Sequence, residues 1–340
     1  MLKIDKRDVD FLVTENMVNE VNTVLQRDVP KVKKFVDEMI NNNIERIYFV
    51  ACGSPLCAGQ TAKLLFEKYS TIQSGAYSGW EFLDNPPFNI NNKCAVIAIS
   101  DSGKTEEVVK SMEMAKAQGA LTLAITKEAD NPIAKIGDYF IAYQGECIWE
   151  IHLLILYTLV LDMIQKTQSN SEVDNIIEDI EKLPSVLEDL VVNYEEIGRK
   201  LGEKASQWPM IYTVAAGLLR PLAYKEGIIS LMEFTWTHGS VIDSGEFRHG
   251  PLEVVEEGIP FIFLLGTDNS RHTTERVINF VKRYTKDYIV IDHKEVGGGL
   301  HPALAPLTLF VPMEWLCYYL AIYKDHNPDA RRYYGGIVEY

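Results

Sequence analysis

Short, almost entirely apolar segments alternate with longer segments of helical periodicity, and this alternation restricts the possible folds more than any other feature. Residues 47–52 and 94–100 are apolar, and each precedes an amphipathic stretch, at 55–69 and 105–119. Strands that are apolar on both faces are typical of a parallel sheet covered by helices on both sides. The sequence therefore predicts an α/β fold built from strand–helix–strand units.

The same pattern occurs a second time along the chain. The segment RIYFVACG at 46–53 resembles MIYTVAAG at 210–217, and both end in a glycine ahead of a helical stretch. Residues 259–266 and 288–292 repeat the later strands of the first half. We therefore predict two tandem subdomains, each a flavodoxin-like parallel sheet flanked by helices.

These repeats also predict the domain boundaries. Residues 1–34 form an N-terminal helical segment, 35–165 the first subdomain and 208–322 the second. The acidic amphipathic stretch 166–207 is typical of a helical connector whose charges face water. Residues 323–340 form a tail, and its aromatic side chains favour docking over fraying.

The charge balance argues against several classes of function. The chain has 33 Lys and Arg against 48 Asp and Glu, a formal net charge of −15. An acidic surface repels phosphate backbones and anionic lipid, so we expect neither a nucleic-acid partner nor a membrane partner. An anionic ligand would need a site built locally from neutral donors. The five scattered cysteines and the charged N-terminal segment predict residence in the reducing cytoplasm.

The most apolar stretch, residues 147–164, is close in length to a membrane span. It contains Glu150, His152 and Asp162, side chains that are costly in hydrocarbon. We therefore predict a buried core helix at this position.

Two loops between a predicted strand and a predicted helix are rich in glycine and hydroxyl groups. Glycine allows a close backbone approach to a ligand, and the N–H groups at a helix start favour an anion such as a phosphate monoester. Serine and threonine are also ordinary helix caps. Neither loop matches the Walker A or dinucleotide-binding pattern. The candidate residues are Gly53, Ser54, Ser100, Ser102, Gly103 and Thr105, with Lys104 as the nearby cation.

Candidate acid and base groups lie in the second half. Glu226 and Glu233 are seven residues apart, which places both carboxylates near one face of a single helix. Apolar neighbours would raise the pKa of such a carboxyl group and suit it to proton transfer. His249, in the loop GEFRHGP, would complete an acid/base pair if it lay near Glu233; a loop histidine without a role is the alternative. The sequence implies no metal and no cofactor.

These segments resemble a known family. The strings ACGSPLCAGQTAK, ISDSGKTEEVV and GEFRHGPLE are similar to the paired sugar isomerase (SIS) domains in the isomerase half of glucosamine-6-phosphate synthase. Over the whole length, strings such as LMEFTWTHG and CYYLAIYKDHNPD most resemble the fructosamine 6-phosphate deglycases. The resemblance implies cleavage of an Amadori product 6-phosphate into glucose 6-phosphate and a free amino acid or amine.

The same resemblance implies roles for individual residues. Glu233 matches the glutamate that moves a proton between C1 and C2, and His249 matches the histidine of ring opening and proton relay. Glu226 matches a further acid of the family. The synthase has a lysine where this chain has Ser230, so glutamine-dependent synthesis is not expected. The residues that match phosphate ligands are Ser54, Ser100, Ser102 and Thr105.

Two other functions stay open: a sugar-phosphate isomerase or aminosugar-phosphate deaminase of the same superfamily, and a sugar-phosphate sensor without catalysis. The resemblance also implies a homo-oligomer and a tail that reaches a substrate site, of its own chain or of a neighbour. The amine carried by the sugar is not predicted. The tail candidates are His326, Arg331, Arg332, Tyr333 and Tyr334.

Overall fold

The computed structural model describes residues 1–333 and 337–339, so Tyr334 lies outside the described residues. Two compact units make up the chain: a first unit, Asn16–Pro184, and a second unit, Met1–Glu15 with Ser185–Tyr340. The boundaries predicted from the repeats remain a prediction. The first 15 residues, placed by the sequence in a separate N-terminal segment, belong to the second unit.

The first unit contains, in its described residues, one sheet of five parallel strands in the order β2-β1-β3-β4-β5. The strands are β1 (Arg46–Ala51), β2 (Gln73–Tyr77), β3 (Cys94–Ile99), β4 (Leu121–Thr126) and β5 (Tyr139–Ala142). All six residues of β3 are buried, as expected for a strand covered on both faces. This order is that of flavodoxin-like sheets, so the predicted fold class is confirmed for this unit.

Helices cover this sheet. They are α1 (Met17–Thr23), α2 (Val29–Asn41), α3 (Ser54–Tyr69), α4 (Gly79–Asp84), α5 (Glu106–Ala117), α6 (Pro132–Ile136), α7 (Ile148–Thr167) and α8 (Ser171–Ile180). A π-helical segment, Val24–Asp28, joins α1 to α2. The predicted buried helix is confirmed as α7, in which every residue from 149 to 164 is buried.

The second unit has, in its described part, a sheet of four parallel strands in the order β7-β6-β8-β9. The strands are β6 (Met210–Ala215), β7 (His238–Asp243), β8 (Phe261–Leu265) and β9 (Tyr288–Asp292). The order repeats that of β2, β1, β3 and β4, so the prediction of two similar parallel sheets is confirmed.

The remaining helices follow the chain from the end of the first unit. They are α9 (Leu183–Asn193), α10 (Glu195–Ala205), α11 (Arg220–Tyr224), α12 (Leu231–Thr235), α13 (Arg271–Val281), α14 (His293–Val296), α15 (Ala305–Thr308) and α16 (Phe310–Tyr323). A π-helical segment, Lys225–Ser230, links α11 to α12. The 3-10 turns are Lys6–Asp8, Gly217–Leu219, Pro251–Val254 and Pro302–Leu304.

Two helical segments of the described chain are long and apolar enough to cross a membrane, Ile148–Thr167 and Pro302–Tyr323. Most residues of both are buried. Core helices of globular proteins share these properties, so length and apolar composition alone do not indicate a membrane span.

Candidate functional site

The two predicted phosphate loops begin at neighbouring strand ends. β1 and β3 are adjacent and parallel, with Ala51 opposite Ile99 in the last pair of the register. Strand order reverses between these two strands, and ligands of doubly wound sheets bind at such switch points, outside the carboxyl ends of the strands. The sheet therefore places both loops where this fold class binds ligands.

The first loop is a sharp turn from β1 into α3. Gly53 has φ +67°, a conformation that disfavours residues with a Cβ atom. The helix starts at once, and its second residue, Pro55, lacks an N–H group that would need a partner. The hydroxyl group of Ser54 makes no hydrogen bond to the described residues, so it is available to a ligand.

The second loop is tightly closed by its own hydroxyl groups. Ser100 Oγ and Thr105 Oγ1 are 3.0 Å apart, and Ser100 Oγ accepts a hydrogen bond from the N–H of Gly103 at 3.2 Å. Ser102 Oγ accepts from the N–H of Lys104 at 3.2 Å. Gly103 has φ +63°, and a Cβ atom there would lie 2.2 Å from the side chain of Asn131. The loop therefore has one well-defined shape that depends on a glycine.

A thiol and a carboxylate lie beside these loops. Cys52 Sγ donates a hydrogen bond to Glu107 Oε1, in the first turn of α5, over 3.2 Å. Burial, with the neighbouring Glu107, raises the pKa of the Cys52 thiol to about 11. The thiol is therefore protonated at neutral pH and is not an activated nucleophile.

The corresponding strand ends of the second unit carry an ion pair, and their hydroxyl groups hydrogen-bond to neighbouring side chains. Arg271 donates two hydrogen bonds of 2.7 Å to the carboxylate of Asp292 and one of 2.9 Å to the carbonyl of Gly266. Asp268 accepts hydrogen bonds from Ser270. The groups at these strand ends therefore differ from those of the two loops in the first sheet.

Glu233 lines a surface cavity of about 360 Å³ in the second unit. Its Oε1 accepts a hydrogen bond from Arg331 Nε at 3.1 Å, and its side chain is 31% exposed. The other carboxylate oxygen accepts no hydrogen bond from the described residues. The residues around this cavity are Met232, Glu233, Trp236, Thr237, His238, Arg331, Arg332 and Tyr333.

The described part of the tail packs beside Glu233 of its own chain. Arg332 lies over the Trp236 ring, 3.8 Å from the ring centroid, and the ring of His326 is 4.2 Å from that of Trp236. Lys324 Nζ donates to Thr237 Oγ1 at 2.8 Å. The structure thus brings Glu233, Arg332 and Tyr333 to one cavity, with His326 next to it.

Glu226 has a different environment from Glu233. The sequence predicted one α-helix that presents both carboxylates on one face, and this expectation is wrong. Residues 225–230 form a π-helical segment, whose wider turns change the angular spacing along the helix. Glu226 is fully buried, whereas Glu233 reaches the surface cavity.

Glu226 belongs to a buried cluster of charged groups. Lys225 Nζ is 2.9 Å from Glu226 Oε1, contacts Glu314 of α16, and donates to Ser230 Oγ at 3.1 Å. Burial raises the pKa of Glu226 to about 8, against the opposing effect of the Lys225 ammonium. Glu226 is therefore protonated at neutral pH, and because it is fully buried it does not contact a ligand in the cavity.

His249 is not among the residues that line the cavity of Glu233. It occupies an exposed turn between β7 and the segment Pro251–Val254. A larger cavity of about 620 Å³, beside Arg248 and α13, contains none of the predicted site residues. The pairing of His249 with Glu233 therefore stays a prediction.

Sequence reasoning missed several residues of these sites. Trp236 lies beside the tail because the tail folds back onto the second unit, and Lys324 of the tail bonds the neighbouring Thr237. Tyr143 hydrogen-bonds to Asp101, about 40 residues earlier in the chain, and His152 hydrogen-bonds to Tyr143. The left-handed conformation of Trp236, φ 49°, has no sequence signature. Within the described residues, no group of three or more His, Cys, Asp and Glu side chains is arranged to hold a metal ion.

Comparisons with known proteins give consistent results. The SIS domain family matches residues 40–162. The chain is 64% identical to fructoselysine 6-phosphate deglycase of Escherichia coli over 340 residues, which cover 100% of both chains. It is 32% identical to a fructosamine deglycase of Bacillus subtilis, over 89% of this chain and 95% of the relative. The C-terminal domain of glucosamine-fructose-6-phosphate aminotransferase from Francisella tularensis has the same fold, with a TM-score of 0.82, 19% identity, and coverage of 97% and 100%.

Proposed function

The chain belongs to the fructoselysine 6-phosphate deglycase family of SIS-domain proteins, and on this premise we propose that it cleaves fructoselysine 6-phosphate to glucose 6-phosphate and lysine. The observation that carries this proposal is 64% identity over the full length of both chains. The fructosamine deglycase of Bacillus subtilis supports the same class of reaction.

The proposed chemistry needs one base and one proton donor. In the open-chain substrate C2 is a ketone and C1 bears the amine. Removal of a C1 proton gives an enaminol, and protonation at C2 converts it into a C1 aldimine. Water then hydrolyses the aldimine, which releases the amine and leaves the aldehyde of glucose 6-phosphate. Substrate and one water molecule account for every atom of the two products.

Glu233 is the proposed base. Arg331 engages Oε1 and so fixes the orientation of the carboxylate, while the second oxygen remains available to accept a proton. A carboxylate that is held by an ion pair and reached through a cavity meets the geometric requirement for a general base. Ser54 and the loop 100–105 are proposed to bind the phosphate through hydroxyl and N–H groups.

His249 is proposed to relay protons and assist ring opening, and the active protein is proposed to be a homo-oligomer in the cytoplasm. His249 is exposed and does not line the cavity of Glu233 in its own chain, which supports a pair completed by a second copy.

Mixing two inactive variants tests this pairing. We expect Glu233→Gln and His249→Asn each to be inactive. The two variant chains are then co-expressed with different affinity tags, and dimers that contain one chain of each are isolated. We expect these mixed dimers to have about half the wild-type rate, because one of the two equivalent sites in each dimer then has both native residues. A mixed dimer as inactive as its parents would place both residues in one chain.

A substrate panel separates the deglycase from its relatives. Release of glucose 6-phosphate and of amine is measured with fructoselysine 6-phosphate, and turnover with fructose 6-phosphate and glucosamine 6-phosphate. We expect kcat/KM to be highest for fructoselysine 6-phosphate, and the same assay on other fructosamine 6-phosphates defines the amine preference. A higher kcat/KM for either sugar phosphate would identify an isomerase or deaminase, and binding without turnover would identify a sensor.

A further inference from the structure

An acidic residue stands in the middle of the loop proposed to bind phosphate. Asp101 lies between Ser100 and Ser102. A carboxylate that faced a bound phosphate would repel it, because like charges a few ångströms apart interact unfavourably. Phosphate binding at this loop therefore requires that the carboxylate be held elsewhere.

The Asp101 side chain is hydrogen-bonded by a residue on the β5 side of its loop. The hydroxyl group of Tyr143, the residue that follows β5, donates a hydrogen bond to Asp101 Oδ1. In the sheet, β4 and β5 lie on one side of β3, whereas β1, with Gly53 and Ser54 at its end, lies on the other. The carboxylate is thus drawn toward β5, on the side of its own loop opposite to Gly53 and Ser54.

The backbone of Asp101 is fixed toward the same side. Its carbonyl accepts hydrogen bonds from the N–H of Lys127 at 3.1 Å and from Thr126 Oγ1 at 3.2 Å, both at the end of β4. The N–H of Tyr143 in turn donates to the carbonyl of Thr126 at 3.1 Å. Tyr143 and Asp101 are therefore attached to the same strand end.

His152 of α7 completes a chain of hydrogen bonds. Its Nε2 lies 3.1 Å from the Tyr143 hydroxyl, and the two rings meet edge to face with centroids 5.0 Å apart. A carboxylate only accepts hydrogen bonds, so Tyr143 donates to Asp101 and accepts from the Nε2–H of His152. Both side chains are at most 2% exposed, and burial lowers the pKa of His152 to about 3, so the ring is a neutral donor.

We propose that Tyr143 and His152 are positioning residues for substrate: they hold the Asp101 carboxylate on the β5 side and thereby keep the loop 100–105 able to accept a phosphate group. This inference rests on the proposed function, because it concerns the phosphate site of that reaction. Neither residue touches the reacting carbon atoms, so their effect is on binding and not on the chemical step.

The variant Tyr143→Phe tests the proposal, since it removes the hydroxyl group and keeps the ring. A hydrogen bond to a charged group is lost, and we expect KM for fructoselysine 6-phosphate to rise about tenfold while kcat stays within about twofold. The Kd of inorganic phosphate, measured by calorimetry, rises by the same factor. Tyr139→Phe, a tyrosine change on β5 outside the chain of hydrogen bonds, is the matched control and leaves KM and Kd unchanged.

A second variant distinguishes repulsion from general damage. In Tyr143→Phe the carboxylate is released toward the anion, and the added change Asp101→Asn removes its charge. We expect the double variant to recover phosphate affinity to within about threefold of the wild-type protein. Loss of packing alone would not be repaired by an amide at position 101.

Three results would overturn the proposal: an unchanged phosphate Kd in Tyr143→Phe, a loss that falls on kcat alone, or a double variant that binds phosphate no better than Tyr143→Phe. Calorimetry with phosphate needs no turnover. A wild-type protein that binds phosphate but releases no glucose 6-phosphate would therefore refute the proposed reaction and leave this inference testable by the same Kd values.

Discussion

Glu226 shows how burial decides what a single carboxyl group does. It is fully buried beside Lys225 and Glu314, and two carboxylates around one ammonium leave an excess negative charge in the core. Desolvation raises the pKa of Glu226 to about 8, so the protonated form of this carboxyl group is favoured at neutral pH. Glu233, seven residues further on, lines a cavity and has an arginine partner.

Stability should therefore depend on pH through Glu226. Its folded pKa of about 8 exceeds the unfolded value of about 4.3. The folded state binds the proton more tightly, so the stabilisation is complete below the unfolded pKa and is lost as pH rises through the folded pKa. We expect the unfolding temperature to fall between pH 5 and pH 9, and Glu226→Gln to flatten this dependence.

The exposed carboxylate of Glu257 provides the control for this measurement. Glu257→Gln should leave the pH dependence of the unfolding temperature as in the wild-type protein. An equally steep dependence in Glu226→Gln would show that other groups cause it.

At the scale of elements, two loops follow neighbouring strands of the first sheet. One is closed by its own hydrogen bonds, and the other presents the hydroxyl group of Ser54. The loop after β3 is closed by Ser100, Gly103 and Thr105, and it starts beside the turn at Gly53 because β1 and β3 are paired. The sequence could predict these loops, since apolar strands followed by glycine and hydroxyl residues are local patterns.

Other features depend on contacts between distant parts of the chain and could not be predicted from local patterns. Glu226 lies in the core, in the π-helical segment before α12, and its partner Lys225 also contacts Glu314 of α16. The chain of hydrogen bonds behind Asp101 joins residues that follow β5 and lie in α7. Tail residues near Trp236 meet the helix of Glu233 only in the folded second unit.

Gly103→Ala should reduce both stability and substrate affinity. A residue with a Cβ atom in this left-handed conformation costs about 1–2 kcal/mol, and the new atom would also lie 2.2 Å from the Asn131 side chain. We expect a lower unfolding temperature and a higher KM. Gly299→Ala has a similar φ, +78°, and open space around the Cβ position, so it should lower stability less and leave KM unchanged. Equal effects of both changes would rule out the steric contribution of Asn131.

At the scale of the whole molecule, the two sheets have similar strand orders but different groups at their strand ends. Strand ends of the first sheet carry hydroxyl groups, whereas those of the second carry the Arg271–Asp292 ion pair. The second unit instead presents Glu233 in a cavity next to the tail. With a net charge of −15, an anion site in this chain needs local N–H and hydroxyl donors, and the loops after β1 and β3 offer such groups.

The central claim is that this chain releases glucose 6-phosphate and lysine from fructoselysine 6-phosphate with Glu233 as the base. The most direct measurement follows both products over time for the wild-type protein, Glu233→Gln and the surface control Glu257→Gln. We predict equal amounts of the two products from the wild-type protein and the control, and a rate lower by about 10²–10⁴-fold in Glu233→Gln. No glucose 6-phosphate from the wild-type protein, or an undiminished rate in Glu233→Gln, would contradict the claim.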